Sequence, residues 1–239
     1  MSHARYDGHA DWYDATFHRY GAPTGSAGLL AELLGPPAPD DPACLDVGCG
    51  TGLHFAAVRA RGHRVVGVDL SADQLRLAAA RTDLVIRADA RRLPFPAGHF
   101  PSVCMTFVHT DVDDFPAAVS EVVRVLRPGG RLVYLGLHPA FVGAFLPRQT
   151  EPEDQELRLS PGYGDEGLRH DPTGRFPVHS RVGSRNLTLA TFLNAFLSQP
   201  ALRLESLQEL DTTMRPWQPA PADGRIVPWN LALTARALP

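Results

Sequence analysis

Short aliphatic segments alternate with longer segments of helical periodicity between residues 43 and 137, and this alternation restricts the fold more than any other feature. Parallel strands must be joined by crossovers of about a dozen residues or more, which are usually helices. The alternation therefore predicts βα units whose strands form a parallel sheet. The predicted strands lie at 43–47, 64–68, 84–88, within 99–108 and at 131–137.

The turn from the first strand into the first helix is rich in glycine and reads Leu45-Asp-Val-Gly-Cys-Gly-Thr-Gly52. Glycine adopts positive φ angles easily and lets bare main chain approach a ligand. The helix predicted at 53–61 offers unpaired N–H groups to an anionic group. At the end of the second strand, Asp69 can accept hydrogen bonds from both hydroxyls of a ribose. Together these features predict a nucleoside ligand.

The spacing of the glycines distinguishes between nucleoside cofactors. A dinucleotide fingerprint has the form GxGxxG, whereas this chain has GxGxG with an acidic residue two positions before the first glycine. This pattern resembles motif I of the class I S-adenosylmethionine-dependent methyltransferases, and within them the type 11 or ubiquinone/menaquinone-methyltransferase-like group. The resemblance continues, in order, through 66–71, 87–90, 100–110 and 126–132.

The resemblance implies a Rossmann-like α/β fold with a seven-stranded, mostly parallel sheet, helices on both faces and an antiparallel last strand. After residue 138 the alternation ends, and 139–185 contain six Pro and six Gly without sustained periodicity. An irregular stretch of this length is usually a lid or a binding loop. We therefore predict one methyltransferase domain over 1–239, made of a helical N-terminal cap and linker (1–42), a cofactor-binding core (43–138), a lid or substrate insert (139–185) and a C-terminal helix and strand pair (186–239).

Local signals predict where several elements begin. Ser71 and Gln74 form a capping box for a helix at 72–81. Asp113 or Asp114 caps a later helix, which ends before Pro128. The C-terminal part is predicted to contain a helix at 188–198, strands at 202–210 and 226–235, and a proline-rich loop at 214–223.

The resemblance also implies which residues bind S-adenosylmethionine. Asp46 and the glycine loop would hold the amino-acid end of the cofactor, Asp69 the ribose and Asp89 the adenine amino group. Thr106 and Phe107 would border the sulfonium, and the N-terminal cap would fold over the cofactor. The implied cofactor contacts are Tyr13, Asp46, Gly48, Cys49, Gly50, Asp69, Leu70, Asp89, Ala90, Thr106 and Phe107.

Two histidines follow strands of the predicted sheet, His109 after the fourth strand and His138 after the fifth. Methyl transfer to a hydroxyl group can require a base, and the unperturbed pKa of histidine, about 6.5, suits that role. We therefore predict that His138 and His109 are acid/base or substrate-orienting residues.

Three acidic residues, Asp111, Asp113 and Asp114, lie beside His109. Such a cluster could hold a metal ion, as a metal-dependent catechol methyltransferase requires. Helix capping and compensation of the helix dipole account for at least two of the three without a metal. We therefore predict no metal site.

The methyl acceptor is predicted to be a small organic molecule of specialised metabolism. Aromatic residues and prolines of the insert suit a lid over a mostly apolar pocket. The fourth strand ends in Thr106-Phe-Val-His-Thr110 and lacks the NPPY-type signature of enzymes that methylate amino groups of nucleic acids and proteins. The chain departs from the resembled group near Asn186, where a histidine is expected.

Two other functions stay open from the sequence. The chain could bind S-adenosylmethionine without methyl transfer, either as a regulatory subunit or as a catalyst of a rearrangement. An NAD-dependent oxidoreductase is the other alternative, which the glycine spacing disfavours.

Composition limits the partners and the compartment. A formal net charge of −3 does not indicate the basic surface of a nucleic-acid-binding protein. No apolar run approaches the roughly 20 residues that cross a bilayer, and the N-terminus lacks an apolar signal core. The three cysteines show no zinc-ligand spacing. We expect a cytoplasmic monomer or homodimer that binds neither membrane nor nucleic acid.

Overall fold

A computed structural model describes residues 4–19, 22–82, 84–140, 162–172, 174, 177–210 and 228–239. Within these residues, seven strands form one sheet in the order β3-β2-β1-β4-β5-β9-β8. Its strands are β1 (Ala43–Val47), β2 (Arg64–Asp69), β3 (Val85–Arg87), β4 (Phe100–Thr106), β5 (Leu126–Leu137), β8 (Leu202–Leu210) and β9 (Asn230–Ala237). Neighbours from β3 to β5 pair in parallel, whereas β9 pairs antiparallel with both β5 and β8. The predicted mostly parallel sheet with an antiparallel last strand is confirmed.

Helices connect these strands and precede them. They are α1 (Ala10–Arg19), α2 (Ala22–Leu34), α3 (Phe55–Ala60), α4 (Ala72–Ala78), α5 (Phe115–Val125), α6 (Pro177–Val182) and α7 (Leu189–Leu197). In the described part of the chain, none of them has the length and apolar character needed to cross a membrane.

Both faces of the sheet are covered because the side chains of each strand alternate between the faces. On β1, Leu45 and Val47 join one buried cluster with residues of α5 and α7. Cys44 joins a second cluster with residues of α2, α3 and α4. The predicted helices on both faces of the sheet are confirmed.

Side chains cap several of the helices. Ser71 Oγ accepts a hydrogen bond from the Gln74 N–H at the start of α4. Gln74 Oε1 has no hydrogen-bond partner among the described residues, so only half of the predicted capping box forms. Asp114 rather than Asp113 is the N-cap of α5, since its Oδ1 accepts from the Ala117 N–H at 3.0 Å.

The structure departs most from the expected elements in three places, and α3, α4 and β3 are shorter than predicted. β5 begins at Leu126, because Leu126 pairs with Phe100 before an irregularity in the register. β9 begins at Asn230 and extends two residues beyond the predicted end. The insert contains a small antiparallel ribbon of β6 (Gly167–Arg169) and β7 (Ser184–Asn186) around α6, which its irregular composition did not predict. Residues 214–223 and the aromatic residues Phe141, Phe145 and Phe176 of the predicted lid lie outside the described residues.

Candidate active site

A cavity of about 290 Å³ opens where β1, β2, β3 and β4 end. Open α/β sheets bind their ligands at this carboxyl edge. The cavity wall brings together most of the predicted cofactor contacts, namely Tyr13, Gly48, Gly50, Asp69, Leu70, Asp89, Ala90, Thr106 and Phe107. Asp46 and Cys49 belong to the same strand-to-helix turn but do not line the described wall, and neither do His109 and His138.

The glycine loop is held against β2 in a conformation that only glycine adopts readily. Gly48 has φ +74° and Gly50 has φ +54°. The N–H groups of Gly48 and Cys49 both donate to the Val68 carbonyl, at 2.8 and 3.0 Å. A Cβ atom at Gly48 would lie 2.5 Å from Val108 Cγ2, closer than atoms can pack. The loop therefore presents bare main chain to the cavity, as the sequence predicted.

Asp69 is oriented by the main chain around it. Its Oδ2 accepts from the Gly50 N–H and its Oδ1 from the Ser71 N–H, both at 2.8 Å. Burial raises the pKa of this carboxyl, while the three backbone N–H groups of Ser71, Gly50 and Leu70 act in the opposite direction. Each carboxylate oxygen has further lone pairs, so the group can accept hydrogen bonds from a ligand that carries two hydroxyls.

Three buried polar atoms near the cavity have no hydrogen-bond partner among the described residues. They are Asp46 Oδ1, Gln74 Oε1 and Thr106 Oγ1. Gln74 and Thr106 line the cavity, and Asp46 is 2% exposed beside the glycine loop. Burial raises the pKa of Asp46 to about 7, although the Cys104 thiol opposes this by a hydrogen bond. Buried polar groups in native proteins almost always have partners, so these atoms indicate a ligand with polar groups.

Phe107 follows β4 in the cavity wall and has φ +57°, the only positive φ of a non-glycine residue in the described part of the chain. Left-handed backbone costs a bulky L-residue roughly 1–3 kcal/mol and persists where the surroundings enforce it, often at functional sites. The Phe107 N–H donates to the Leu135 carbonyl at 2.8 Å, and its ring stacks on His54. This strain supports the predicted position of Phe107 at the reacting centre.

The N-terminal segment covers one side of the cavity. Tyr13 on α1 lines the wall, and the Tyr6 ring meets it edge-on with 5.5 Å between centroids. Asp7 accepts from Ser71 Oγ at 2.6 Å, and Asp73 accepts from the Gly8 N–H at 3.0 Å. Hydrogen bonds to Ser71 and to the first turn of α4 therefore hold this segment over the cavity.

Asp89 lines the cavity but is paired with Arg91. The Arg91 guanidinium donates to the Asp89 carboxylate through Nη2 at 2.6 Å and through Nε at 2.9 Å. Arg91 itself also lines the cavity wall. The adenine contact predicted for Asp89 would have to share the carboxylate with this guanidinium.

His109 lies in the core and not at the edge of the cavity. It is 2% exposed, and its Nδ1 forms a hydrogen bond with the Tyr134 hydroxyl. Its ring packs against Phe115 and Phe192. Burial lowers the pKa of His109 to about 3. The chain turns sharply at Phe107 after β4, a backbone conformation that the sequence does not predict.

His138 is 1% exposed at the end of β5, and both of its ring nitrogens are engaged. Its Nε2 lies 2.9 Å from Glu209 Oε1, and its Nδ1 accepts from the Ala140 N–H at 3.1 Å. Burial lowers the pKa of His138, although Glu209 opposes the shift. The acid/base roles of both histidines stay predictions, and these placements do not favour them.

Several wall residues were not assigned to a ligand by the sequence, namely Arg5, Gln74, Arg91, Asp111, Val112 and Leu168. Arg5 and Leu168 come from distant parts of the chain, which no local pattern connects to the glycine loop. The sequence singled out Gln74 only as a helix-capping residue and Asp111 only as a member of the acidic cluster.

Comparison with known proteins gives the same family as the motifs. A family profile described as methyltransferase domain matches residues 45–134. Demethylmenaquinone methyltransferase of Thermus thermophilus is 38% identical over 109 residues, which cover 42% of this chain and 50% of that protein. The chain thus spans about half the length, or less, of the curated relatives that it matches.

Solved structures share the fold. An S-adenosylmethionine-dependent methyltransferase from Mesorhizobium loti superimposes with a TM-score of 0.65 and 24% identity, covering 90% of this chain and all of that one. A second similar structure is geranyl diphosphate C-methyltransferase from Streptomyces coelicolor, solved in complex with Mg²⁺, geranyl diphosphate and S-adenosyl-L-homocysteine. It superimposes with a TM-score of 0.59 and 20% sequence identity, covering 89% of this chain and 76% of that one. The family profile and the relatives agree with the glycine motif that residues 45–134 resemble the methyltransferase domain of S-adenosylmethionine-dependent methyltransferases, and the solved structures share the fold.

Proposed function

We propose that the protein transfers a methyl group from S-adenosylmethionine to a small organic molecule, in specialised metabolism. The observation that carries this proposal is the cavity itself. Its wall unites the glycine loop, the oriented Asp69 carboxylate and the N-terminal cap, and it contains buried polar atoms without described partners. This combination suits a ligand with a nucleoside at one end and a charged amino-acid group at the other.

The residues of the wall fit that cofactor. Asp69 would accept hydrogen bonds from the ribose hydroxyls, and the loop after β3, with Asp89 and Ala90, would border the adenine. Asp46 and the glycine loop would take the amino-acid end, where an ionised carboxylate pairs with an ammonium group. When bound, S-adenosylmethionine supplies a methyl group on a positively charged sulfur. The protein then mainly has to align the acceptor and exclude water.

The acceptor side of the cavity favours a small molecule with an apolar body. Val108, Val112 and Leu168 give the cavity wall apolar residues besides Phe107. Leu168 belongs to the ribbon of the insert, which supports the prediction that this insert contacts the substrate. The curated relatives are named for demethylmenaquinone, a quinone. We therefore infer that the acceptor is a ring compound of this general kind.

Isothermal titration calorimetry with S-adenosylmethionine, S-adenosylhomocysteine and NAD tests the cofactor before an acceptor is known. We expect the two sulfur compounds to bind and NAD not to bind. Binding of NAD alone would contradict the proposal and favour an oxidoreductase. Binding of the sulfur compounds without methyl transfer to any of a panel of phenols, hydroquinones and amines would favour a binding protein without methyl transfer.

Replacement of Asp69 by alanine is expected to weaken binding of S-adenosylmethionine by about 1–3 kcal/mol, because it removes charge-assisted hydrogen bonds to the ribose. Calorimetry measures this directly. Asp40→Ala is the matched control, since Asp40 pairs with Arg127 outside the cavity wall. Asp69 also holds the Gly50 N–H, so thermal unfolding should confirm that the variant is folded. Unchanged affinity in a folded variant would remove Asp69 from the site.

A further inference from the structure

Asp111 lines the cavity, and one of its carboxylate oxygens, Oδ1, accepts no hydrogen bond from the described residues. Its Oδ2 accepts from the Tyr6 hydroxyl at 3.3 Å and from Thr110 Oγ1 at 3.4 Å. Its Oδ1 lies 3.6 Å from Arg5 Nη2, within ion-pair range but too far for a hydrogen bond. The Asp111 side chain is 26% exposed and lines the cavity. The ion pair therefore fixes the carboxylate and leaves Oδ1 able to accept a hydrogen bond.

The other acidic residues of the described wall are already engaged. Asp69 accepts two backbone N–H groups and is assigned to the ribose. Asp89 is bound by the Arg91 guanidinium, and Asp113 by Arg185 at 2.9 Å. Within this wall, Asp111 is thus the acid best placed to receive a proton from a substrate.

The electrostatic surroundings of Asp111 suit a base that works near neutral pH. Burial raises the pKa of its carboxyl to about 6, with a further rise from Asp69, while Arg5, Tyr6 and Thr110 act in the opposite direction. The carboxylate is then ionised at pH 7 and yet more basic than an ordinary aspartate. General bases are most effective when their pKa lies near the working pH.

Asp111 also follows closely in the chain after Phe107, which is predicted to border the reacting centre. The Asp111 N–H donates to the Val108 carbonyl at 3.0 Å, which closes a tight turn directly after Phe107. The cavity wall also contains Thr106, whose buried Oγ1 has no described partner, and the apolar residue Leu168. A ring compound could rest on the apolar wall and direct one polar group to Asp111.

We propose that Asp111 is the catalytic base that accepts the proton of a ring hydroxyl on the methyl acceptor, an inference that rests on the proposed function. In this step the hydroxyl proton moves to Asp111 Oδ1. The ring oxygen, or a ring carbon conjugated with it, forms a bond to the methyl carbon, and the bond from that carbon to sulfur breaks with its electron pair left on sulfur. After methylation at carbon, water takes the proton of the methylated ring carbon, which restores the aromatic ring as a phenolate that solvent then protonates. Asp111 then returns its proton to water.

The test compares Asp111→Asn and Asp111→Glu with wild type. The control is Asp114→Asn, which lies in the same loop, caps α5 outside the described wall and keeps a capping side chain. Calorimetry gives the affinity for S-adenosylmethionine. Mass spectrometry follows methyl transfer to a panel of naphthohydroquinones and phenols from pH 5 to 8. The titration of Asp111 is followed independently by ¹³C NMR of protein labelled at aspartate carboxyls, with Asp111→Asn for assignment.

Other charged and titratable groups lie near Asp111, so the pH dependence of turnover must be shown to come from Asp111 and not from them. Those that act on it are Arg5 and Tyr6 from the cap, Tyr13 on α1, Asp69 at the end of β2 and Tyr134 on β5. The three tyrosines keep their protons between pH 5 and 8, since burial raises the pKa of each tyrosine further above that range. Asp69 is present in every variant, so the difference between wild type and Asp111→Asn isolates Asp111.

We expect wild-type turnover to rise with pH, with its midpoint near pH 6, and to level off above about pH 7. Asp111→Asn should lower turnover about 10²–10⁴-fold, the usual contribution of a general base, with cofactor affinity within twofold of wild type. Asp111→Glu should restore part of the rate, and Asp114→Asn should match wild type. Turnover of Asp111→Asn within fivefold of wild type would overturn the proposal, as would titration of Asp111 near pH 4. So would a wild-type protein that methylates amines but no hydroxyl-bearing probe, whereas cofactor binding without transfer to any probe would overturn the proposed function. Failure to bind the cofactor would instead overturn the proposed function.

Discussion

Gly48→Ala is expected to destabilise the protein by about 2–5 kcal/mol and to lower the affinity for S-adenosylmethionine at least tenfold. A left-handed φ costs alanine about 1–2 kcal/mol, and Gly48 has φ +74°. The new methyl group would lie 2.5 Å from Val108 Cγ2, and overpacking of this kind costs about 1–3 kcal/mol. Because Val108 follows Phe107, relief of the overlap would also move the strained residue beside the proposed reacting centre.

Gly129→Ala is the matched control for this prediction. Gly129 has φ +73°, but a Cβ atom there would meet nothing within 4 Å. The Gly129→Ala variant therefore measures only the free-energy cost of a left-handed φ for alanine, which should be about 1–2 kcal/mol. The double variant Gly48→Ala, Val108→Ala should recover part of the loss beyond the sum of the single effects, because the two side chains would overlap. Urea unfolding and calorimetry measure both effects. Equal destabilisation by Gly48→Ala and Gly129→Ala would show that the close approach to Val108 does not matter.

The sequence predicted the sheet and the glycine loop well, because both depend on local patterns. β1 and β8 have the predicted bounds, and α7 lies within one residue of its predicted ends. The conformation of the glycine loop follows from residues that adopt positive φ, which the sequence displays directly. The same reasoning placed Asp69 at the end of β2, where it meets the Gly50 N–H.

Features that depend on tertiary contacts could not be predicted in this way. His109 and Asp111 are two residues apart, yet one packs into the aromatic core and the other lines the cavity. The backbone at Phe107 decides this, and its left-handed φ is enforced by the fold and not by the residue type. The ion pair of Arg5 with Asp111 joins residues about a hundred positions apart along the chain.

The three aspartates of the acidic cluster are close in sequence but have different roles in the structure. A run of aspartates suggested a metal site or helix caps. In the structure Asp114 caps α5, Asp113 pairs with Arg185 of the ribbon, and Asp111 faces the cavity with Arg5. The roles differ because each carboxylate meets a different part of the chain, and only the geometry of the loop after β4 separates them.

Asp46→Asn is expected to change stability and cofactor binding in opposite directions. Burial raises the pKa of Asp46 to about 7 in the folded protein, from 3.8 when unperturbed. Below pH 3.8 the group is protonated in both states and costs nothing. Between pH 3.8 and 7 the unfolded chain loses the proton while the folded protein keeps it, so the free energy of unfolding falls as pH rises. The full penalty, roughly 4 kcal/mol at 1.4 kcal/mol per pH unit, is reached above pH 7.

Asparagine has nearly the same shape and no charge, so it removes this penalty and adds the smaller cost of a buried amide. Without cofactor, the variant should be about 1–3 kcal/mol more stable than wild type at pH 8, with the gain absent at pH 4. Its affinity for S-adenosylmethionine should fall at least tenfold at pH 8, because the carboxylate proposed to pair with the cofactor's ammonium is gone. Urea unfolding at both pH values and calorimetry at pH 8 measure these effects. A variant that is less stable at pH 8, or that binds the cofactor as wild type does, would contradict a buried carboxylate held for the cofactor. We expect instead that the Asp46 carboxylate destabilises the protein without cofactor and gains its charge partner only when the cofactor is bound.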